Sequence, residues 1–400
     1  MTLSIICEGI YFSRSTNRRY SNSLTVLLIF GRRVPSQADP DMLQLFEGVE
    51  RFAVTTQKAI TQLFDAFPIL QKFPTWMFPL TKYATSLHKV EKALYVKHYL
   101  RVKNGVKDGT AKDCFCVEMA KVQKEEGFSD EQASYISGYL WISWSDEANV
   151  RTLLEAGSDT TASTLVAFIQ AMACFPEVQR KAQVEIEKVV GSDRLPTMND
   201  EPNLPYIRAM IKESLRWMPT TLTGAAPHAT TKDDEYMGYY IPKGASVMLN
   251  VWAIHMDEKR HPNPREFRPE RYEGDDLNAA DSAANPDASK RDHFTFGSGR
   301  RICQGMHVAE RSLFLGMARM LWGFNITAKV RDGKPVPIDP DRLTQGFVAM
   351  PEPFECDIKP RDEKRARLIR EDWQKAKKEY IDPVTQQLKD NVVLDQMSHA

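Results

Sequence analysis

The 400-residue sequence predicts a mainly α-helical fold with a minor β portion, and three observations predict it. Long segments repeat apolar residues at helical spacing between prolines and glycines that punctuate them. Strand character is concentrated in one stretch, residues 239–249. No internal repeat and no Gly/Ser linker divides the chain.

The elements follow in order. Met42, Leu43, Leu45, Phe46, Val49 and Phe52 recur near helical spacing, so residues 40–100 are expected to be mostly helical, interrupted at Pro68, Pro74 and Pro79. The pattern resumes as a long amphipathic helix over 83–103. Residues 153–174 are the most apolar helix candidate. Residues 177–190 read as a charged amphipathic helix, with Pro176 near its first turn and Gly191 just past its end. Another helix covers 205–217 and stops at Pro219. Tyr239, Tyr240 and Ile241 then precede Pro242-Lys243-Gly244 and the apolar Val247, Met248 and Leu249, which predicts a β-hairpin turning at Pro/Gly. The polar, Asp/Ala/Asn-rich stretch 273–290 is expected to be a surface loop. Residues 306–325 return to helix. From Arg361 the chain is highly charged, and a solvent-facing helix with a loose tail is expected there.

Composition narrows the function. Fifty-three basic residues balance fifty-three acidic ones, and apolar residues make up 42% of the chain, so the composition is globular and the overall charge offers nothing to a nucleic acid. The six cysteines, Cys7, Cys114, Cys116, Cys174, Cys303 and Cys356, are sparse and unframed, as suits a reducing compartment. Cys114 and Cys116 form a CxC with no further ligand at metal-binding spacing. The run LTVLLIFG at 24–31 is far shorter than the roughly 18–20 apolar residues of a membrane span. The first residues lack the basic n-region of a signal peptide.

Three motifs carry chemistry. The first is Phe296-Gly297-Ser298-Gly299-Arg300-Arg301-Ile302-Cys303-Gln304-Gly305. Glycines at 297, 299 and 305 permit tight turns and close approach to a flat ligand. Arg301 can offset an anionic group on that ligand. The helix that follows at once would favour a thiolate at Cys303 through its N-terminal dipole. A lone cysteine in a Gly-rich turn is ordinarily inert; it is the whole string that is specific. The second motif is Ala156-Gly157-Ser158-Asp159-Thr160-Thr161 in the apolar helix. Ala156 and Gly157 are small enough to let a planar ligand near the backbone. Thr160 can hydrogen-bond the Ala156 carbonyl and bend the helix. With Asp159 it forms an acid–alcohol pair suited to moving protons. The third is Glu213 and Arg216, three apart on a helix, followed by Phe267-Arg268-Pro269-Glu270-Arg271-Tyr272. On its own a Glu–Arg pair at this spacing would be a solvated surface contact of little energetic value.

Together these strings resemble the cytochrome P450 family, closest in texture to fungal members of secondary metabolism, and the resemblance runs from about residue 20 to Pro360. It implies a P450 fold holding haem b (iron protoporphyrin IX). Cys303 would be the axial iron ligand, and Arg301, His228, Phe296, Gly297, Gly305, Ala156 and Gly157 would surround the cofactor. Asp159 and Thr160 would handle protons. Glu213, Arg216 and Arg271 would form a buried charge network, structural in role. His255, Pro264 and Phe267 read as packing residues, and the turn at 345–348 resembles one that lines a substrate pocket. The implied activity is insertion of one oxygen atom from O2 into a lipophilic small molecule, with electrons from NADPH through a cytochrome P450 reductase. No dinucleotide fingerprint such as GxGxxG occurs. Lys290, Arg291 and Arg300 flank the cysteine loop as a candidate basic docking surface for that acidic partner. Two other readings remain open: a truncated, non-catalytic remnant, and a haem-thiolate isomerase or dehydratase that needs no reductase.

The resemblance divides the chain into a haem domain over 1–360, incomplete at its N-terminus, and a charged tail over 361–400. The family implies the cytosolic face of the endoplasmic reticulum membrane. No anchor is recognised in this chain, which leaves a cytoplasmic location open. Residues 139–151 interrupt what the family makes one long helix, as a retained intron would, and Gln304 stands where an apolar residue or Pro is usual.

Overall fold

In the computed structural model the described residues are 14–56, 77–138 and 153–390, with a few positions between 63 and 74. The interruption at 139–151 lies outside them. The chain forms two compact units, residues 163–371 and residues 13–162 with 372–400.

The second of these units is helical. Helix α1 (Arg14–Phe30) leads through a left-handed Gly31 into α2 (Pro40–Thr56). Then come α3 (Pro79–Asp108), α4 (Phe115–Glu126), α5 (Asp130–Gly138) and the start of α6 (Leu153–Cys174). Pro79 opens α3 at its first position, where a missing N–H costs nothing. It starts the helix rather than breaking it. Asp39 caps α2 by accepting from the amides of Asp41 and Met42. Val26, Phe30, Met42, Phe46, Leu94, Tyr99, Met119 and Leu154 share one apolar core.

Residues 381–390, the last described ones of this unit, are not loose. Helix α12 (Glu363–Tyr380) ends in it, and the strand-like segment beyond is strapped to the loop after α1. Arg33 N donates to Gln387 Oε1 (2.8 Å), and Gln387 Nε2 donates back to the Arg33 carbonyl (3.1 Å). Arg33 also reaches the Gln386 carbonyl (2.8 Å), and Lys112 reaches that of Leu388.

The unit over 163–371 carries the rest of α6, α7 (Pro176–Val189), α8 (Pro205–Trp217), the short α9 (Val251–His255) and α10 (Ala279–Ala283), and α11 (Met306–Gly323). Its small antiparallel sheets are two-stranded. The hairpin prediction has the wrong partner. Strand β3 (Tyr239–Ile241) pairs with β2 (Asp234–Tyr236), while β4 (Ser246–Val247) pairs with β1 (His228–Ala229). The reason is the two-residue turn Met237-Gly238, both at positive φ, whose twist matches that of a hairpin. Further on, β5 (Phe324–Ala328) pairs with β8 (Cys356–Pro360), and β6 (Val330–Arg331) with β7 (Lys334–Pro335).

Residues 273–290 are not wholly a surface loop either. Asn278 caps α10, and the small side chains of Ala279, Ala280 and Ala283 tuck into the core. The N-terminal half of α12 likewise buries Arg365, Ala366 and Ile369. Trp217 and Phe267 meet edge to face at 5.7 Å in this unit's core. Among the described residues no single helix is long and apolar enough to cross a membrane.

The C-terminal strap is testable. Gln387→Ala removes both hydrogen bonds to the Arg33 backbone and should destabilise the protein by about 1–2 kcal/mol, read as a lower urea midpoint. An unchanged midpoint would mean the strap contributes nothing to stability.

Candidate functional site

The cysteine loop is built from glycine geometry upward. Gly297 and Gly299 adopt φ of +80° and +67°, which a side chain would strain, and the second sits in the tight turn Gly299–Arg301. The loop closes on itself, because Cys303 N donates to the Phe296 carbonyl (2.8 Å). Phe296 is buried; Cys303 is exposed at the mouth of the loop. Gly305 stands at the N-cap of α11, and a Cβ there would lie 3.9 Å from the Cys303 sulfur. The thiol does not carry the lowered pKa expected from the helix dipole. Desolvation pushes it up, and the Gly305 amide opposes this only in part.

Arg300 and Arg301 are exposed and make no hydrogen bond or ion pair with another described residue. An exposed sulfur on a glycine-flanked loop, beside an unpaired guanidinium, fits a flat, anionic, iron-bearing ligand. Arg291 behaves otherwise. It is buried, donating from Nε to the Asn285 carbonyl (2.7 Å) and from Nη1 to Ser298 Oγ (2.8 Å). It braces the loop from inside and is no part of a docking surface. His228 is exposed in β1. The turn at 345–348 lies in a loop closed by Thr344 N donating to the Met350 carbonyl (2.8 Å).

The charge network lies in the same unit as the loop. Glu213 and Arg216 are both fully buried, which excludes the solvated surface pair. Arg216 meets Glu213 bidentately (2.7 and 2.8 Å), Arg271 Nε reaches it at 3.2 Å, and the Arg268 amide (2.8 Å) and Tyr272 hydroxyl (3.2 Å) also donate to it. Burial alone would lower the Arg216 pKa, but the hydrogen bonds and charge of Glu213 raise it on balance.

His255, read from sequence only as packing, joins this network to the cysteine loop. Its Nδ1 lies 3.0 Å from the Arg216 carbonyl, and its Nε2 accepts from the Phe294 amide (2.7 Å). Nδ1 therefore carries the proton. Burial, with the charges of His293, Arg216 and His261, holds this imidazole neutral far below its usual range. Thr295 Oγ1 adds a bond to the Leu215 carbonyl (2.6 Å).

In the other unit, α1 runs beside α6 and reads it residue by residue. Ser21 donates to the Gly157 carbonyl (2.6 Å), Asn22 to Ser158 Oγ (2.9 Å), and Arg18 Nε to Asp159 Oδ1 (2.9 Å). A Cβ on Gly157 would lie 2.8 Å from Thr25 Oγ1, so helix packing accounts for that glycine. Ala156 is exposed, and Thr160 Oγ1 donates to its carbonyl at 2.6 Å, the geometry read from the sequence. The Asp159 carboxylate is buried but not left without a counter-charge. It is ion-paired to Arg18, which also reaches Glu50 (2.9 Å) and lies over the Phe46 ring at 4.3 Å. The arginines beginning α1 gave no sequence signal of this, because the partners lie 141 residues apart.

Comparison with known proteins agrees with these motifs. The family model described as cytochrome P450 matches residues 17–358. The cytochrome P450 monooxygenase virE of Hypocrea virens is 46% identical over 359 residues, covering 89% of this chain and 62% of that protein. FsoB of Humicola fuscoatra is 46% identical over 358 residues (89% and 64%), and fogE of Aspergillus ruber 44% over 360 (90% and 64%). The chain thus spans under two thirds of the length of these three relatives.

Removing one partner of a buried ion pair typically costs about 3–5 kcal/mol, because the other charge is stranded. Arg18→Ala should therefore destabilise the unit holding α1 and α6 by roughly that amount in chemical denaturation. Arg18→Lys should recover part of the loss. A wild-type unfolding curve for Arg18→Ala would show that Asp159 does not depend on this partner.

Proposed function

Because the chain belongs to the cytochrome P450 family, we propose that it is a haem-thiolate monooxygenase of fungal secondary metabolism, inserting one oxygen atom into a lipophilic small molecule. The observation that carries this is the exposed Cys303 on its self-closed, glycine-flanked loop. When bound, haem b would supply the oxygen-activation chemistry, its iron held by a thiolate. Cys303 supplies that thiolate. Arg301 and His228 hold the anionic edge of the cofactor, and Phe296, Gly297 and Gly305 shape the backbone around the sulfur. Ala156, exposed on α6, keeps the backbone of that helix open to the cofactor, whereas Gly157 is taken up by packing against Thr25 of α1.

Asp159 and Thr160 handle protons. The Arg18 guanidinium holds the Asp159 carboxylate in one place, and the Thr160 hydroxyl is fixed by the Ala156 carbonyl. The intact acid–alcohol pair favours oxygen insertion over a reductase-independent isomerase or dehydratase. Electrons come from NADPH through a flavoprotein reductase, and exposed Lys290 and Arg300 offer it a basic surface. Phe67, Ile69, Phe73 and Met77 are exposed apolar side chains, which supports association with a membrane surface. In this reading residues 1–360 belong to the haem domain and 361–400 extend it.

The test is spectroscopic. The protein reconstituted with haem and reduced under CO should give the Soret band of a thiolate-ligated haem, and Cys303→Ser should abolish that band without unfolding the chain. A band retained in Cys303→Ser, or no haem uptake by the wild type, would contradict the assignment.

A further inference from the structure

One buried cation in the unit over 163–371 has no part in the route from Glu213 to the cysteine loop. Lys212 stands beside Glu213 on α8 and is 1% exposed. A buried ammonium persists only where acids or hydrogen-bond acceptors replace its water. Asp275 Oδ2 does so at 2.6 Å, and the Tyr272 ring lies 5.6 Å from Nζ. Asp292 Oδ2 stands 3.0 Å from the same nitrogen, near enough for an ion pair but out of line for a hydrogen bond.

The two acids serve different places. Asp275 N donates to the Tyr272 carbonyl (3.1 Å), so Asp275 closes the turn that follows Pro269–Tyr272. Asp292 belongs to the segment that enters the cysteine loop. Its amide donates to Ser282 Oγ (3.1 Å), Arg291 before it braces Ser298, and the Phe294 amide after it is held by His255. The Phe294 carbonyl then accepts the Gly297 amide (2.8 Å), and the Phe296 carbonyl accepts that of Cys303 (2.8 Å). Among the described residues Lys212 is the one ion-pair partner of Asp292. Lys212 and Arg216 lie four apart on α8 and so share a face. Arg216 reaches residue 294 through His255, and Lys212 reaches residue 292 directly. One turn of helix thus holds the entering segment at two points.

We propose that Lys212 is a positioning residue for the Cys303 thiolate: its pair with Asp292 fixes where the chain enters the cysteine loop, independently of Glu213. This rests on the reading of Cys303 as the axial ligand and adds what holds that ligand from a second side. Lys212 touches neither the sulfur nor the reacting atoms in this reading; it acts through Asp292. The pair with Asp275 keeps the ammonium in place when Asp292 is changed, and the pair with Asp292 keeps it in place when Asp275 is changed. Holding the loop and satisfying a buried charge are therefore separable by mutation.

Two measurements test this. The first needs no haem. In hydrogen exchange on the full chain, Asp292→Asn should speed exchange at the Phe294, Gly297 and Cys303 amides about ten-fold, the effect of losing a coupled contact of ordinary strength. The amides of 205–217 should keep their protection. Asp275→Asn should leave the three loop amides as they are in the wild type. Unchanged exchange in Asp292→Asn, or an equal effect of Asp275→Asn, would overturn the assignment and make Lys212 a packing residue. The second uses the haem-loaded protein reduced under CO. Asp292→Asn and Lys212→Met should each lose part of the thiolate Soret band, and Asp275→Asn should keep it. A full band in Asp292→Asn would overturn the positioning role even where exchange has changed. Should Lys212→Met misfold, the two asparagine variants still decide, because both keep the lysine and one of its acids. No haem uptake by the wild type counts against the reading of Cys303, and the exchange result then decides whether Lys212 holds the loop.

Discussion

The Glu213 carboxylate is the point on which the cysteine loop hangs. It sits at zero exposure and accepts from Arg216, Arg271, Tyr272 and the Arg268 amide. A buried charge of this kind stabilises only when its hydrogen-bonding capacity is filled, and here four donors from two segments fill it. Arg216 then passes the order on. Its guanidinium holds the His255 carbonyl at 3.2 Å, and its own carbonyl takes the His255 Nδ1 proton. His255 accepts the Phe294 amide, and two residues later the Phe296 carbonyl accepts the Cys303 amide. The position of the sulfur is thus specified through a run of hydrogen bonds beginning at a residue 90 positions earlier.

In the other unit the comparable constraint is the face that α1 presents to α6. Arg18, Ser21, Asn22 and Thr25 engage the stretch from Gly157 to Asp159, leaving Ala156 and Thr160 on the neighbouring edge of the helix. The Asp159 carboxylate belongs to the packed side, paired with the buried Arg18, and the Thr160 hydroxyl belongs to the neighbouring side, on the Ala156 carbonyl.

How much of this was legible follows from the range of the interactions. Helices over 153–174 and 205–217 were readable because their apolar spacing, prolines and termini are local signals. The motifs around Cys303 and Asp159 are legible because each is a contiguous string, and that around Glu213 because it joins two short strings, 213–216 and 267–272. The hairpin partner is not legible because Pro242-Gly244 is a stronger turn signal in composition than Met237-Gly238, whose positive φ values no composition rule announces. The role of His255, the inward turn of Arg291 and the pairing of Arg18 with Asp159 depend on partners 7 to 141 residues away. Nothing in the local sequence separates them from surface side chains. The buried alanines of α10 were hidden by the polar residues between them.

The central claim, that the buried Glu213 carboxylate positions the cysteine loop through Arg216 and His255, is tested most directly by hydrogen exchange. In Glu213→Gln, protection should fall at the amides of Phe294 and Cys303 together with those of residues 205–217, while the amides of α1 keep theirs. Full protection at Phe294 and Cys303 in a variant whose residues 205–217 have loosened would contradict it.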